Sequence, residues 1–209
     1  MLISLVDILR CPKPHPETWL VASIDRVELR DIIAGTLGCP DCMSEYPIRD
    51  GIVYFEDDVV RRDAPRPGEA DAFRVAAALD LTDPRMVAVL HDDWGALAPL
   101  VRGIAPAHLL LVNPPRGFAS GDGVSIVIAH RAPLAQASVD AVAIGTDATD
   151  AMVDSLRASL RAGKRMLGPT SMPLPASVRE LARDDSLWVG ELGSQVMTSA
   201  PIMPTRRTR

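Results

Sequence analysis

The stretch that most constrains the fold is residues 86–97, Met-Val-Ala-Val-Leu-His-Asp-Asp-Trp-Gly-Ala-Leu. An apolar run rich in β-branched residues meets a short polar turn, and a helix-like segment follows at once. This order predicts the first strand, turn and helix of a doubly wound α/β domain, a fold whose ligands bind at that turn. Glycines usually let the backbone approach the ligand there, but this turn contains only Gly95. The scaffold therefore predicts a ligand-binding fold with an altered loop.

The chain after residue 71 alternates between apolar runs and helix-like segments. Strands are predicted over 86–90, 108–112, 124–129, 139–145 and 164–168, helices over 71–79, 96–104, 150–162 and 176–183, and a terminal hairpin over 187–192 and 195–202. Asp150 is expected to cap the helix that it begins, and Gly163 to end it. Buried strands that alternate with helices form a mostly parallel sheet covered on both faces.

One linker divides the chain. Residues 61–70 are charged and rich in proline and glycine, which is typical of a domain boundary. We expect a small α+β module over 1–60, a doubly wound, mostly parallel α/β domain with a C-terminal antiparallel hairpin over 71–203, and a short basic tail over 204–209.

Composition limits the partners and the compartment. A net charge of −5 argues against general nucleic-acid binding, so contact with nucleic acid is expected only through a partner. No apolar run approaches the roughly 20 residues of a membrane span, and the first residues lack the features of a signal peptide. The three cysteines, two of them in a Cys-x-x-Cys pair, favour metal binding in a reducing compartment over disulfides. We expect a cytoplasmic protein.

The cysteines indicate a candidate structural metal site. Cys39 and Cys42 have the spacing at which one tight turn supplies two thiolates to zinc, and Cys11 and His15 are the candidates for the other two ligands. A closed site of this kind would stabilise a module with little core of its own. The alternative is that the site has decayed and the cysteines pack as small apolar residues, since prolines flank His15 on both sides.

Three runs in the first part carry a family resemblance. Leu-Arg-Cys-Pro at 9–12, Cys-Pro-Asp-Cys at 39–42 and Tyr-Pro-Ile-Arg-Asp-Gly-Ile at 46–52 resemble the small zinc-ribbon proteins that activate tRNA, rRNA and release-factor methyltransferases. The resemblance covers about residues 2–56 and implies a zinc-ribbon-like fold. Members with an intact ribbon carry a second cysteine where this chain has Pro14, and His15 follows one position later.

Two runs in the second part resemble class I S-adenosylmethionine-dependent methyltransferases. Residues 132–142 resemble that family's entry into its fourth strand, and residues 156–167 its next helix-to-strand turn. The resemblance implies a methyltransferase-like Rossmann domain over 71–200. It also implies that the cofactor would be held by a glycine-rich loop after strand one, a carboxylate that ends strand two and an acid after strand three. The corresponding positions are His91, Asp92, Asp93, Trp94 and Gly95 in the loop, Asn113, and His130.

All three of these places depart from the family pattern, so S-adenosylmethionine is not expected to bind in the usual way. Trp94 is expected to fill space that a cofactor would take. Asn113-Pro114-Pro115 resembles the start of the Asn-Pro-Pro-Tyr motif of enzymes that methylate amide or exocyclic amino nitrogens, but it follows the second strand, where a proline strand stop is favoured. His91, Asp92 and Asp93 could be metal ligands or an acid–base pair, although no partner motif accompanies them.

Two functions remain open from the sequence. The favoured hypothesis is a methyltransferase-like protein that has lost the usual cofactor site and acts as an accessory or structural subunit, binding a protein partner or a larger complex. The separate activators pair with a methyltransferase domain, so a chain with both parts would have internalised that partnership. The alternative is an active S-adenosylmethionine-dependent methyltransferase with an atypical cofactor loop, acting on RNA or protein.

Overall fold

The computed structural model describes residues 1–63 and 68–193. The N-terminal part consists of a 3₁₀ helix (Ile3–Ile8) and strands β1 (Val21–Glu28), β2 (Asp31–Gly38), β3 (Glu45–Arg49) and β4 (Ile52–Tyr54). The second part consists of α1 (Glu69–Ala78), β5 (Val87–His91), a 3₁₀ helix (Asp92–Leu97), α2 (Ala98–Ile104), β6 (His108–Val112), β7 (Val124–Ile128), β8 (Val139–Ala143), α3 (Asp150–Ser159), β9 (Leu160–Pro169), β10 (Val178–Arg183) and β11 (Leu187–Leu192). No helix in these two ranges is both long and apolar enough to cross a bilayer.

The strands of the described residues form one sheet in the order β1-β2-β3-β4-β7-β6-β5-β8-β9-β11-β10. The five adjacent strands β7, β6, β5, β8 and β9 run parallel to one another, within a sheet that is mixed as a whole. Counted from β5 as the first strand, their order is 3-2-1-4-5, so the order reverses between β5 and β8 as in doubly wound folds. The prediction of an α/β Rossmann-like fold is confirmed.

The first part is a meander of antiparallel strands. Its first strand, β1, pairs with β2 across a bulge. A tight turn at Asp50 and Gly51 joins β3 to β4: both residues have positive φ angles, 50° and 76°, and Arg49 pairs with Ile52. Two successive positive φ angles match the twist of the flanking strands, so they make a compact hairpin connection.

The C-terminal edge differs from the sequence prediction. The helix predicted over 176–183 is wrong, because Val178–Arg183 is strand β10, antiparallel to β11. The run Arg-Glu-Leu-Ala-Arg favours a helix by local propensity, but pairing with β11 overrides that preference. The antiparallel hairpin at this edge is therefore formed by β10 and β11, and the predicted partner segment 195–202 lies outside the described residues.

The ends of α3 also differ from the prediction. Thr149 caps the helix in place of Asp150, since its side chain accepts a hydrogen bond of 3.2 Å from the Met152 amide. The helix ends at Ser159 rather than 162, because Leu160 already pairs with Val139 of β8. Gly163 is consequently not a helix cap but lies inside β9 with a φ of 74°, where the register with β8 shifts.

The two parts of the chain meet along a parallel pairing of β4 with β7. Three residue pairs define this seam, among them Val53 with Val127, and the Phe55 amide extends it by donating to the Ile128 carbonyl at 2.9 Å. Leu9 and Phe55 from the first part belong to the same buried cluster as Val127 from the second. The parts therefore share a sheet and a core. Residues 64–67 of the predicted linker lie outside the described ranges, and α1 begins at Glu69.

Candidate functional site

The four predicted metal ligands lie together in the first part. Cys11 follows the 3₁₀ helix, Cys39 and Cys42 lie in the turn between β2 and β3, and His15 lies in the loop before β1. One ligand atom from each residue lies within 4.8 Å of the others. Cys11 and Cys39 are buried, while Cys42 is exposed.

Two distances in this cluster match those expected around a tetrahedral zinc ion. The Cys11 and Cys42 sulfurs are 3.6 Å apart, and Cys39 Sγ lies 3.5 Å from His15 Nε2. Ideal tetrahedral coordination places two such sulfurs about 3.8 Å apart, and a sulfur and a nitrogen about 3.5 Å apart. The prolines beside His15 therefore do not turn its imidazole away from the cysteines.

Neighbouring groups orient these ligands. His15 Nδ1 lies 2.7 Å from the Pro16 carbonyl, so a proton on Nδ1 donates to that oxygen and leaves Nε2 free for a metal. Hydrogen bonds from the side chain and backbone of Ser44 lower the pKa of the Cys42 thiol to about 6, which favours the thiolate that metals bind. Burial raises the pKa of Cys11, whose sulfur is 3.0 Å from Tyr46 Oη. Sequence reasoning missed Ser44 and Tyr46, although both lie close to the Cys-x-x-Cys pair.

The predicted cofactor residues divide between two clefts at the carboxyl ends of the parallel strands. His91, Asp92, Asn113 and His130 line a small crevice of about 160 Å³. Asp93 and Trp94 line a separate cleft of about 350 Å³. Gly95 lines neither, because it packs on Pro114: a Cβ at residue 95 would lie 2.7 Å from the Pro114 Cβ.

Of the loop residues, His91 and Trp94 form hydrogen bonds with the protein itself, whereas Asp92 leaves one oxygen without a partner. His91 is only 4% exposed, and its Nδ1 accepts a hydrogen bond of 3.2 Å from the Gly145 amide. Burial lowers the pKa of His91 to about 4, so its imidazole is neutral near pH 7. Asp92 packs against Gly145, its Oδ2 has no partner among the described residues, and burial raises its pKa. The Trp94 indole donates to the Ile144 carbonyl at 2.9 Å.

Asn113, which the family resemblance predicts at the position of the ribose-binding carboxylate, joins the ends of β6 and β7. Its Nδ2 donates to the Ala129 carbonyl at 2.7 Å, and its Oδ1 accepts from the Ala129 amide at 2.9 Å. Both ends of the amide side chain are thus engaged by backbone, as in a β-ladder pair.

Residues 56–62, which we call the strap, lie along the mouth of the crevice. His130 donates from its amide to the Glu56 carboxylate at 3.1 Å, and its Nε2 lies 2.8 Å from Asp58. Arg62 forms an ion pair of 2.5 Å with Asp147, on the far side of the crevice. The strap follows β4 directly, and sequence reasoning did not assign it a role because no motif marks it.

Comparison with known families covers the first part of the chain. Residues 3–51 match the model of the Trm112p-like protein family. The zinc-ribbon resemblance stated for this segment is confirmed, and residues 3–51 are called the Trm112p-like segment below. No protein of curated function matches the chain.

The solved structures that resemble this chain include methyltransferases. The complex of the Haloferax volcanii Trm112 methyltransferase activator with a putative methyltransferase has 13% identity, covers 60% of this chain and 92% of that one, and has a TM-score of 0.45. Aquifex aeolicus tRNA (m1A58) methyltransferase TrmI has 11% identity, covers 64% and 72%, and has a TM-score of 0.44. Streptomyces coelicolor geranyl diphosphate C-methyltransferase has 15% identity, covers 47% and 44%, and has a TM-score of 0.40. The match thus spans less than half the length of the last of these chains.

The neutral, buried state of His91 predicts acid sensitivity. Its pKa in the fold, about 4, is below the ordinary value of about 6.5, so the unfolded chain binds more protons between these values. This contribution to stability is complete above about pH 6.5 and is lost as the pH falls toward 4. We expect His91 alone to lower the free energy of unfolding by about 2 kcal/mol between pH 7 and pH 5.

Urea unfolding of His91→Asn at both pH values measures this contribution. Asparagine retains an acceptor for the Gly145 amide but does not titrate, so its stability should depend less on pH than that of the wild type. Val60→Ala changes an exposed side chain and removes no titratable group, so it is the control and should show the pH dependence of the wild type. Equal pH dependence in all three proteins would contradict the neutral assignment.

Proposed function

We propose that this chain is a methyltransferase-like binding protein in which the usual cofactor crevice is filled by the protein's own side chains. Its role would be that of an accessory subunit that binds a protein partner. The proposal rests on the hydrogen bonds that the side chains of His91 and Asn113 form with backbone groups. These residues hold two of the positions that would grip a cofactor, and both are engaged by the backbone of neighbouring strands or loops.

The size of the crevice and the charge beside it support the proposed loss of the usual cofactor site. The crevice of about 160 Å³ is smaller than the roughly 300–1,000 Å³ of pockets that enclose small organic ligands. A ribose at Asn113 would break two hydrogen bonds to Ala129, each worth about 1 kcal/mol, and would leave buried backbone groups to be satisfied again. Asp92 also borders the crevice, and its carboxylate would repel that of the methionine moiety, whereas Asp147 is already paired with Arg62.

Zinc in the Trm112p-like segment is part of the proposal. Cys11, His15, Cys39 and Cys42 would hold it as a closed set of three sulfurs and one nitrogen, which is the donor set of a structural site. The ion would tie the loop before β1 to the turn between β2 and β3. Because metal binding is coupled to folding at such sites, the ion would stabilise this segment rather than react.

The proposed partner surface is the outer edge of the sheet. The pairing of β4 with β7 already joins the Trm112p-like segment to the Rossmann-like part within one chain. Among the described residues the outer edge of β1 is unpaired. Apolar side chains are exposed on this strand and at its two ends: Trp19, just before it, is 71% exposed, Val21 64%, and Leu29, just after it, fully. Exposed apolar groups along an unpaired strand edge are typical of protein-binding surfaces.

Calorimetry tests the loss of the cofactor site. S-adenosylmethionine and S-adenosylhomocysteine are titrated into the purified protein, with a working class I methyltransferase in the same buffer as the positive control. We expect no saturable heat at millimolar ligand, because the crevice is filled. Binding at micromolar concentrations would overturn the proposal and favour an active methyltransferase with an atypical loop.

Metal analysis tests the zinc site. Wild-type protein purified without added metal should carry about one zinc per chain and retain it against a mild chelator. His15→Ala should lose most of the zinc under the same treatment, whereas the control His130→Ala should retain it because His130 lies outside the cluster. Equal retention by His15→Ala and wild type, or a wild type free of zinc, would contradict the four-ligand site.

A further inference from the structure

The cleft that Asp93 and Trp94 line, which we call the switch-point cleft, has no role in the function proposed above. It lies where the strand order reverses between β5 and β8, with walls from the 3₁₀ helix after β5, the loop after β8, the end of β9 and the first turns of α1. Open α/β sheets bind ligands at this place. Its volume of about 350 Å³ lies within the range of small-molecule pockets.

The walls of the switch-point cleft are largely apolar. Trp94, Leu97, Pro169 and Leu187 line it. The hydrogen bond from the Trp94 indole to the Ile144 carbonyl fixes the orientation of the ring, so its surface is a preformed platform. A rigid aromatic wall in a cleft of this size suits a flat or short-chain apolar body.

The charges of the cleft are predominantly negative. The carboxylates of Asp71 and Asp93 border it, and neither forms a hydrogen bond or ion pair through its side chain with any residue in 1–63 or 68–193. The one cation of the lining, Arg74, is paired with Asp184 and also donates to Ser186. The net field inside the cleft therefore attracts cations and repels phosphates and carboxylates.

We propose that the switch-point cleft binds a small organic cation with an apolar body, such as an aryl-alkyl or alkyl amine. Asp71 and Asp93 hold the ammonium group at the rim, and the body packs on Trp94. The aromatic face adds attraction for the cation beyond the burial of apolar area. The proposal does not depend on the state of the cofactor crevice, because the two clefts are lined by different residues.

Nuclear magnetic resonance with three matched probes tests the proposal. The probes are phenethylammonium, 2-phenylethanol and 3-phenylpropionate, which share an aryl-alkyl body and differ in charge. The readout is the Trp94 indole N–H resonance of the full chain, assigned with Trp94→Phe. We expect phenethylammonium to shift this resonance saturably, the neutral alcohol to bind at least about fivefold more weakly, and the anion to cause no saturable shift.

Variants separate binding from nonspecific effects. Asp93→Asn, alone and with Asp71→Asn, should weaken phenethylammonium at least about fivefold, while Asp154→Asn, an exposed carboxylate of α3, should leave it unchanged. Equal affinity for the three probes, no shift of Trp94 by any of them, or equal weakening by Asp154→Asn would overturn the proposal. None of the probes carries adenosine, so these outcomes are independent of the cofactor titration.

Discussion

The parallel pairing of β4 with β7 is the interaction on which the rest of the structure depends. It attaches the Trm112p-like segment to the edge of the Rossmann-like sheet and merges their cores. The same pairing fixes where the strap starts, because the strap follows β4 without a break. Glu56 and Asp58 then reach His130, and Arg62 reaches Asp147 across the crevice. A contact that joins two parts of the chain thus also places the strap across the crevice.

The sequence was sufficient to predict features that depend on a single element or on a short spacing between residues. The apolar runs at β5, β6 and β8 are buried on both faces, so their composition predicts parallel strands within a residue or two. The spacing of Cys39 and Cys42 similarly led to a cluster that Cys11 and His15 complete. The loop after β5 contains Gly95 as its one glycine, and the interpretation of this loop as an altered cofactor loop stays a prediction.

Nonlocal contacts explain what the sequence did not predict. Strand β10 has helix-forming residues, and only its pairing with β11 makes it a strand. Gly163 was predicted to end a helix because glycine is common at the residue that follows a helix. Its actual place, in an irregularity of β9, depends on pairing with β8. Asn113 forms two hydrogen bonds with the Ala129 backbone, and these could not be predicted without knowing that β6 and β7 end side by side. The strap has no motif at all.

The most direct test of this account is whether the chain unfolds as one unit through the seam. Val53 is fully buried in β4, and Val60 is 85% exposed in the strap, so the two Val→Ala changes form a matched pair. We expect one transition in urea, seen alike by fluorescence and circular dichroism. The free energy of unfolding should fall by about 2 kcal/mol in Val53→Ala and stay within about 0.5 kcal/mol of the wild type in Val60→Ala. Two separate transitions, with only the weaker one shifted by Val53→Ala, would contradict it.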